Sequence, residues 1–232
     1  MNEELLDHIA NWLMYAMQAS IVVPMAVVWK RRRHFSPTVG LLSWYVYLSL
    51  GCVLASKLYP VYLTTNYGSL IAFNLGKIAL FGAVYHRVLQ GWGRPAVAVA
   101  AGASVLSGLA VAAYDMNLAV TVSRVMQCAV LAGFALLYLD QALSRPAPNP
   151  PTHDPLWLLS VAQLIYSAGT VTAFSLDYLS VTRYDQTLKW LVIPLAGLAF
   201  NYILTLAFAR ARRNPAPRPV AEPTSTTRLA GL

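Results

Sequence analysis

The stretch IANWLMYAMQASIVVPMAVVWKRRR, residues 9–33, decides the fold class. From Ile9 to Trp29 it carries no charged side chain, and it stops at four consecutive bases, Lys30, Arg31, Arg32 and Arg33. An α-helix rises 1.5 Å per residue, so about 20 such residues cross a hydrocarbon core roughly 30 Å thick. The bases then fall where anionic headgroups begin. The preceding segment, Met1 to His8, is acidic and no small-residue cleavage site follows the run, so the first span is expected to stay in the mature protein.

The same ruler divides the rest of the chain. A second span begins after Pro37 and runs to about Lys57, and a third covers Ser69 to Tyr85, ending at His86 and Arg87. A turn over Gly91 to Pro95 leads into a fourth span, Ala96 to Tyr114, and Asp115 to Asn117 turn into a fifth, Leu118 to Leu139. The proline-rich segment Arg145 to Pro155 cannot continue a helix. Leu156 to Phe174 form the sixth span, Ser175 to Lys189 a polar loop, and Trp190 to Phe208 the seventh span. The expectation is an all-α, polytopic membrane protein of seven transmembrane helices. Residues 1–209 form the membrane domain, and residues 210–232 a basic, disordered tail.

Composition agrees. The 232 residues are 57% hydrophobic and 11% charged, against roughly 25% charged in soluble domains. The net charge of +8 sits at the ends of apolar runs, which points to headgroups and excludes nucleic acid as the expected partner. Lys30 to Arg33, Arg87, Arg94, Arg145, Arg210, Arg212 and Arg213 fall on one side of a seven-span chain. The opposite side holds Lys57, Arg183 and Lys189 beside several acids. By the positive-inside rule the N-terminus is outside and the C-terminus cytoplasmic, in a bacterial cytoplasmic (inner) membrane. Cys52 and Cys128 both lie inside apolar runs and read as packing residues.

No catalytic constellation is legible. His8, His34, His86 and His153 lie near span ends or in loops and form no pair on one helical face, so neither a metal nor a cofactor is expected. Ala100, Ser104 and Gly108 recur every four residues, a spacing that lets helices approach closely. Asp140, His153 and Asp154 are the only set for a lipid-modifying enzyme, and they lie on or beside the proline-rich linker. Pro24 and Pro194 interrupt the first and seventh spans as ordinary membrane prolines or as hinges. Trp44, Tyr45, Tyr47 and Trp190, among other aromatic residues near span ends, read as interfacial anchors.

The informative residues are polar groups within the spans. Lys77 lies about 15 Å below the outer end of the third span, and Arg124 roughly 10 Å below that of the fifth. A cation at such depth costs about 2.5–3.5 kcal/mol even on the permissive insertion scale, so it faces the bundle or a wet cavity. Asn74 and Gln127 stand three residues from Lys77 and Arg124 respectively, on the same helical faces, and Gln18 and Gln163 add further donors. No span contains a carboxylate. The cations therefore either extend outward toward Asp115, Asp177 and Asp185 or form a cationic site for an anion. A retinal protein is rejected: the seventh span holds a lysine only at its edge, Lys189, and no counter-ion is present.

The order of segments resembles a family of uncharacterised small seven-helix bacterial integral membrane proteins. The resemblance covers the third span onward. It rests on Asn66, Phe73 to Lys77, Tyr85 to Leu89, Ser123 and Arg124 with Gln127, and Leu164 to Thr170. In similar members the positions of Lys77 and Gln127 tend to be glutamate and that of Arg124 basic, which implies that this chain has exchanged an acidic site for a cationic one.

The functional expectation is a non-enzymatic receptor or sensor module that binds a small anionic or amphiphilic ligand in the outer half of the bundle. The binding residues would be Asn74, Lys77, Arg124, Gln127 and Gln163. Its partners would be membrane lipids and a cytoplasmic or membrane signalling protein. A transporter or anion-conducting protein is the alternative, and a lipid-modifying enzyme a third.

Overall fold

The computed structural model describes residues 3–62, 66–144, 154–179 and 183–211. Among these residues the chain is helical, and seven segments are long and apolar enough to cross a membrane. This is a multi-pass membrane protein. In the hydrocarbon region each backbone N–H and C=O needs an internal partner, and a helix supplies one.

The first span, Leu5–His34, is made of α1 (Glu3–Ser20), α2 (Val22–Arg31) and a 3₁₀ turn, Arg32–His34. Its break has a local cause. Pro24 has no N–H to offer the Ser20 carbonyl, and regular bonding resumes only with Met25 N–H to the Ile21 carbonyl at 3.2 Å. The second span, Pro37–Leu58, combines α3 (Pro37–Leu42) with the start of α4 (Trp44–Tyr62). Its N-terminus is set by Ser36, whose Oγ accepts from Val39 N at 3.4 Å, and by Pro37 in the first turn.

The third and fourth spans are α5 (Tyr67–Val88) and α6 (Gly93–Tyr114). Between them the chain reverses at Gly91, whose φ of 61° lies in the left-handed region that glycine reaches without strain. Asp115 caps α7 (Met116–Leu143), accepting from Asn117 N at 2.8 Å and Leu118 N at 3.2 Å. Asp154 caps α8 (Pro155–Leu179), accepting from Leu156 N at 2.9 Å, and Tyr138 on α7 donates to its second oxygen. The last helix is α9 (Arg183–Arg210).

The order and number of spans match the sequence reading. The polar loop assigned to Ser175–Lys189 is a correction: α8 continues to Leu179 and α9 begins at Arg183, so most of it is helix. Polar residues there extend the helices past the apolar zone, because backbone bonding does not require an apolar side chain. The proline-rich linker over 145–153 and the tail over 212–232 lie outside the described residues.

α9 packs along α8 and against α1 and α2; α7 lies between α5 and α8, with α6 against α5 and α7. α4 lies along α5 but does not pack along α1. Small residues set the close approaches, as the Ala100–Ser104–Gly108 spacing suggests. A Cβ at Gly82 would lie 2.7 Å from Ala101 Cβ, and one at Gly169 2.7 Å from Ala196 Cβ. An alanine methyl cannot rotate away, so these helix pairs are held at glycine distance. At the end of the bundle where α2 and α9 finish, Phe35 stacks on Phe208 at 5.6 Å and Arg31 donates to the Ala209 carbonyl. Arg32 lies over the Trp44 and Tyr47 rings, and Arg94 donates to His86, so this end gathers the bases.

Gly169→Val must push α8 from α9. We expect overpacking to destabilise by about 1–3 kcal/mol, measured as a lower melting temperature in detergent, whereas Gly102→Val, with open space around the added carbon, leaves it unchanged.

Candidate functional site

Inside the bundle the polar groups of the spans meet at one level. Consecutive spans run antiparallel, so α5 and α7, the third and fifth, are parallel. Asn74 Nδ2 donates to Ser123 Oγ at 3.0 Å, joining them. One turn deeper on the same two helices come Lys77 and Gln127.

Lys77 does not extend toward the loops. It is 1% exposed, and its ammonium lies 4.2 Å from the ring centroid of Tyr166, 4.5 Å from Phe200, 5.4 Å from Tyr45 and 5.5 Å from Phe81. Four helices, α8, α9, α4 and α5, each present one ring. The negative face of an aromatic ring attracts a cation by roughly 0.5–1 kcal/mol when exposed and about 2 kcal/mol or more when desolvated. Rings thus stand where a carboxylate was sought. The outward route to loop acids is closed for Lys77, and Asp115 is occupied in capping α7. The side chains of Asp177 and Asp185 lie outside the described residues.

Above this cage, in the half of the bundle where α1, α5, α7 and α9 begin, is a cavity of about 460 Å³. That volume falls within the roughly 300–1,000 Å³ typical of small-molecule sites. Three cage rings, Tyr45, Tyr166 and Phe200, form part of its wall, together with Asn74 and Arg124. Its remaining surface mixes apolar side chains, Met14, Met17, Ile21, Phe73 and Ile193, with the polar Gln18, Ser49, Ser69, Thr170 and Asn201. Arg124 is half-buried with its guanidinium 5.7 Å from the Phe174 ring, and no described carboxylate lies within ion-pair distance of it.

The five residues expected to bind therefore separate. Asn74 and Arg124 line the cavity, and Lys77 stands behind its aromatic wall. Gln163, fully buried, donates to Ser167 Oγ at 3.0 Å, and its Oε1 has no partner. Gln127 is 1% exposed with neither amide atom paired. Neither glutamine lines the cavity. An unpaired buried polar group costs about 1–3 kcal/mol, so Gln127 is held in place by packing rather than by its own bonds.

Two features escaped the sequence reading. Tyr45, read as an interfacial anchor, is 4% exposed and packs edge-on against Phe81 and Phe200. Asn201 donates to Ser20 Oγ at 2.7 Å and to the Met17 carbonyl at 3.4 Å, fastening α9 to the kinked end of α1. Its signal was present as a lone amide within the seventh span. Asp154, from the only enzyme-like set, is a helix cap, and His153 lies outside the described residues. No group of three or more metal-ligating side chains occurs among the described residues. Comparison of the chain with family models, with curated proteins and with solved structures finds no match.

Lys77→Met keeps the length of the side chain without its charge, and Lys77→Ala leaves a void among four rings. We expect the alanine variant to lose about 2–5 kcal/mol and the methionine variant to melt near wild type. Equal losses in both would mean that the charge itself holds the rings. Gln127→Leu, which removes unpaired polar atoms, is expected to raise the melting temperature.

Proposed function

We propose that the protein is a non-enzymatic membrane receptor or sensor whose bundle binds a small anionic or amphiphilic ligand in this cavity. The observation that carries the reading is Arg124: a guanidinium on a largely apolar cavity wall, with no described carboxylate beside it. A cation in such surroundings forms charge-assisted hydrogen bonds with a carboxylate or phosphate that are stronger than those made in water. Asn74, beside it on the cavity wall, supplies an amide, and Lys77 adds positive potential from behind the rings.

In this proposal the cavity opens to the outside of a bacterial inner membrane and the basic end, with Arg31, Arg32, Arg87 and Arg94, faces the cytoplasm. A signalling partner would meet that end. The departure from the resembling family at positions 77 and 127 belongs to the same proposal, because both positions lie at one level of the α5–α7 seam. Transport is a second reading, favoured by the break at Pro24 and by Pro194 within α9; counter-flow of a bound anion in proteoliposomes separates it from sensing.

Thermal melting of the purified protein against small anions and amphiphiles tests the proposal. A ligand at a hundredfold its Kd stabilises by about 2.7 kcal/mol, which is several degrees for a chain of this size. We expect such a shift in wild type and its loss in Arg124→Ala. A shift that survives in Arg124→Ala places the ligand elsewhere, and no shift with any compound removes the proposal's support.

A further inference from the structure

We infer that the cavity takes a single-chain lipid amphiphile with an anionic head, admitted sideways from the bilayer through the seam between α1 and α4. This rests on the anion-binding reading of Arg124 and adds the ligand's chemical class and its route.

The seam follows from the packing. α1 runs along α9 and α4 runs along α5, but α1 and α4 do not pack along each other although both wall the cavity. On that flank the barrier between cavity and lipid is made of side chains: Met14 from α1, Cys52 and Val53 from α4, all half-buried. Methionine is unbranched and adapts its rotamers readily, so Met14 yields without disturbing helix packing. A contact that crosses the seam is the Lys57 ammonium 5.0 Å from the Tyr15 ring, and both residues are exposed. An exposed cation–π contact is weak. It is a latch that opens at little cost.

The lining chooses the class of ligand. A fully hydrated anion gains from Arg124 but nothing from Met14, Met17, Ile21 and Phe73. An acyl chain leaving the lipid phase exchanges one apolar environment for another, and its headgroup gains Arg124 in desolvated surroundings. Approach through the seam also keeps that chain out of water throughout.

The test is photolabelling of the full chain in phosphatidylcholine nanodiscs with a diazirine-bearing dodecanoate, followed by peptide mapping. The expected adducts lie within 14–21 on α1 and 45–56 on α4, and unlabelled dodecanoate competes for them. Labelling falls about ten-fold in Arg124→Ala, the loss of one charge-assisted bond, and returns in Arg124→Lys. Tyr15→Ala raises the rate several-fold with the final extent unchanged. Adducts confined to lipid-facing Leu106 and Leu109 on α6 would be ordinary lipid contact and would overturn the inference, as would equal labelling by the uncharged dodecanol probe. If benzoate or inorganic phosphate raises the melting temperature through Arg124 while the dodecanoate probe leaves the cavity unlabelled, the lipid inference falls and the receptor reading stands. If neither occurs, both fall.

Discussion

A charge in the middle of a bilayer has to be held by the protein, because the surrounding lipid offers it nothing. In this molecule the Lys77 ammonium is held by four rings from four helices, Tyr45, Phe81, Tyr166 and Phe200. Side chains of α4, α5, α8 and α9 meet at this single point, packed around the length of the lysine. The arrangement also explains why Tyr45 and Phe200 pack against one another, 5.5 Å apart at 73°, and why three of the rings form a wall between the charge and the cavity. Polar contacts then set the layers above and below: Asn74 with Ser123 on one side, Tyr85 with Ser160 at 2.9 Å on the other.

Around that point the helices fit by subtraction of side chains. Gly82 against Ala101 and Gly169 against Ala196 bring backbones together, while Gly197 leaves room for Met17 at the cavity wall. Association inside a membrane gains little from apolar burial, since lipid tails are as apolar as leucine, so close packing and a few polar bonds carry more of the stability. The same economy leaves the first and fourth spans mostly facing lipid, with Trp12, Val99 and Leu106 exposed.

Much of this was legible from the chain alone. Length and apolarity fixed the seven spans, and the basic residues at their ends gave a consistent alternation. The depth of Arg124 left two readings open, a reach toward loop acids such as Asp115 or a cationic cavity; the structure places Arg124 and Asn74 on a cavity wall, and Asp115 caps α7. What escaped depends on which helices are neighbours. No property of the third span says that rings from the second, sixth and seventh converge on Lys77, so loop acids looked like its natural partners. Tyr45 was misplaced for the same reason: an aromatic residue near a span end has the same sequence signature whether it faces headgroups or a buried cation. The loop over 175–189 was misread because hydropathy measures the thickness of the apolar zone and not the length of the helix.

The pairing of α1 with α9 has a consequence for biogenesis. The cavity wall includes Met14 and Met17 from the first span and Ile193, Gly197 and Asn201 from the last, and Asn201 is bonded to Ser20 across that junction. During synthesis the first span enters the membrane long before its partner exists, with the Ser20 hydroxyl and a proline-weakened turn facing lipid or an insertion machinery. The ring of helices closes only when the seventh span arrives. A chain interrupted anywhere before α9 has the cage lysine and the cavity arginine but no complete chamber, so an occupied cavity would mark a fully inserted molecule.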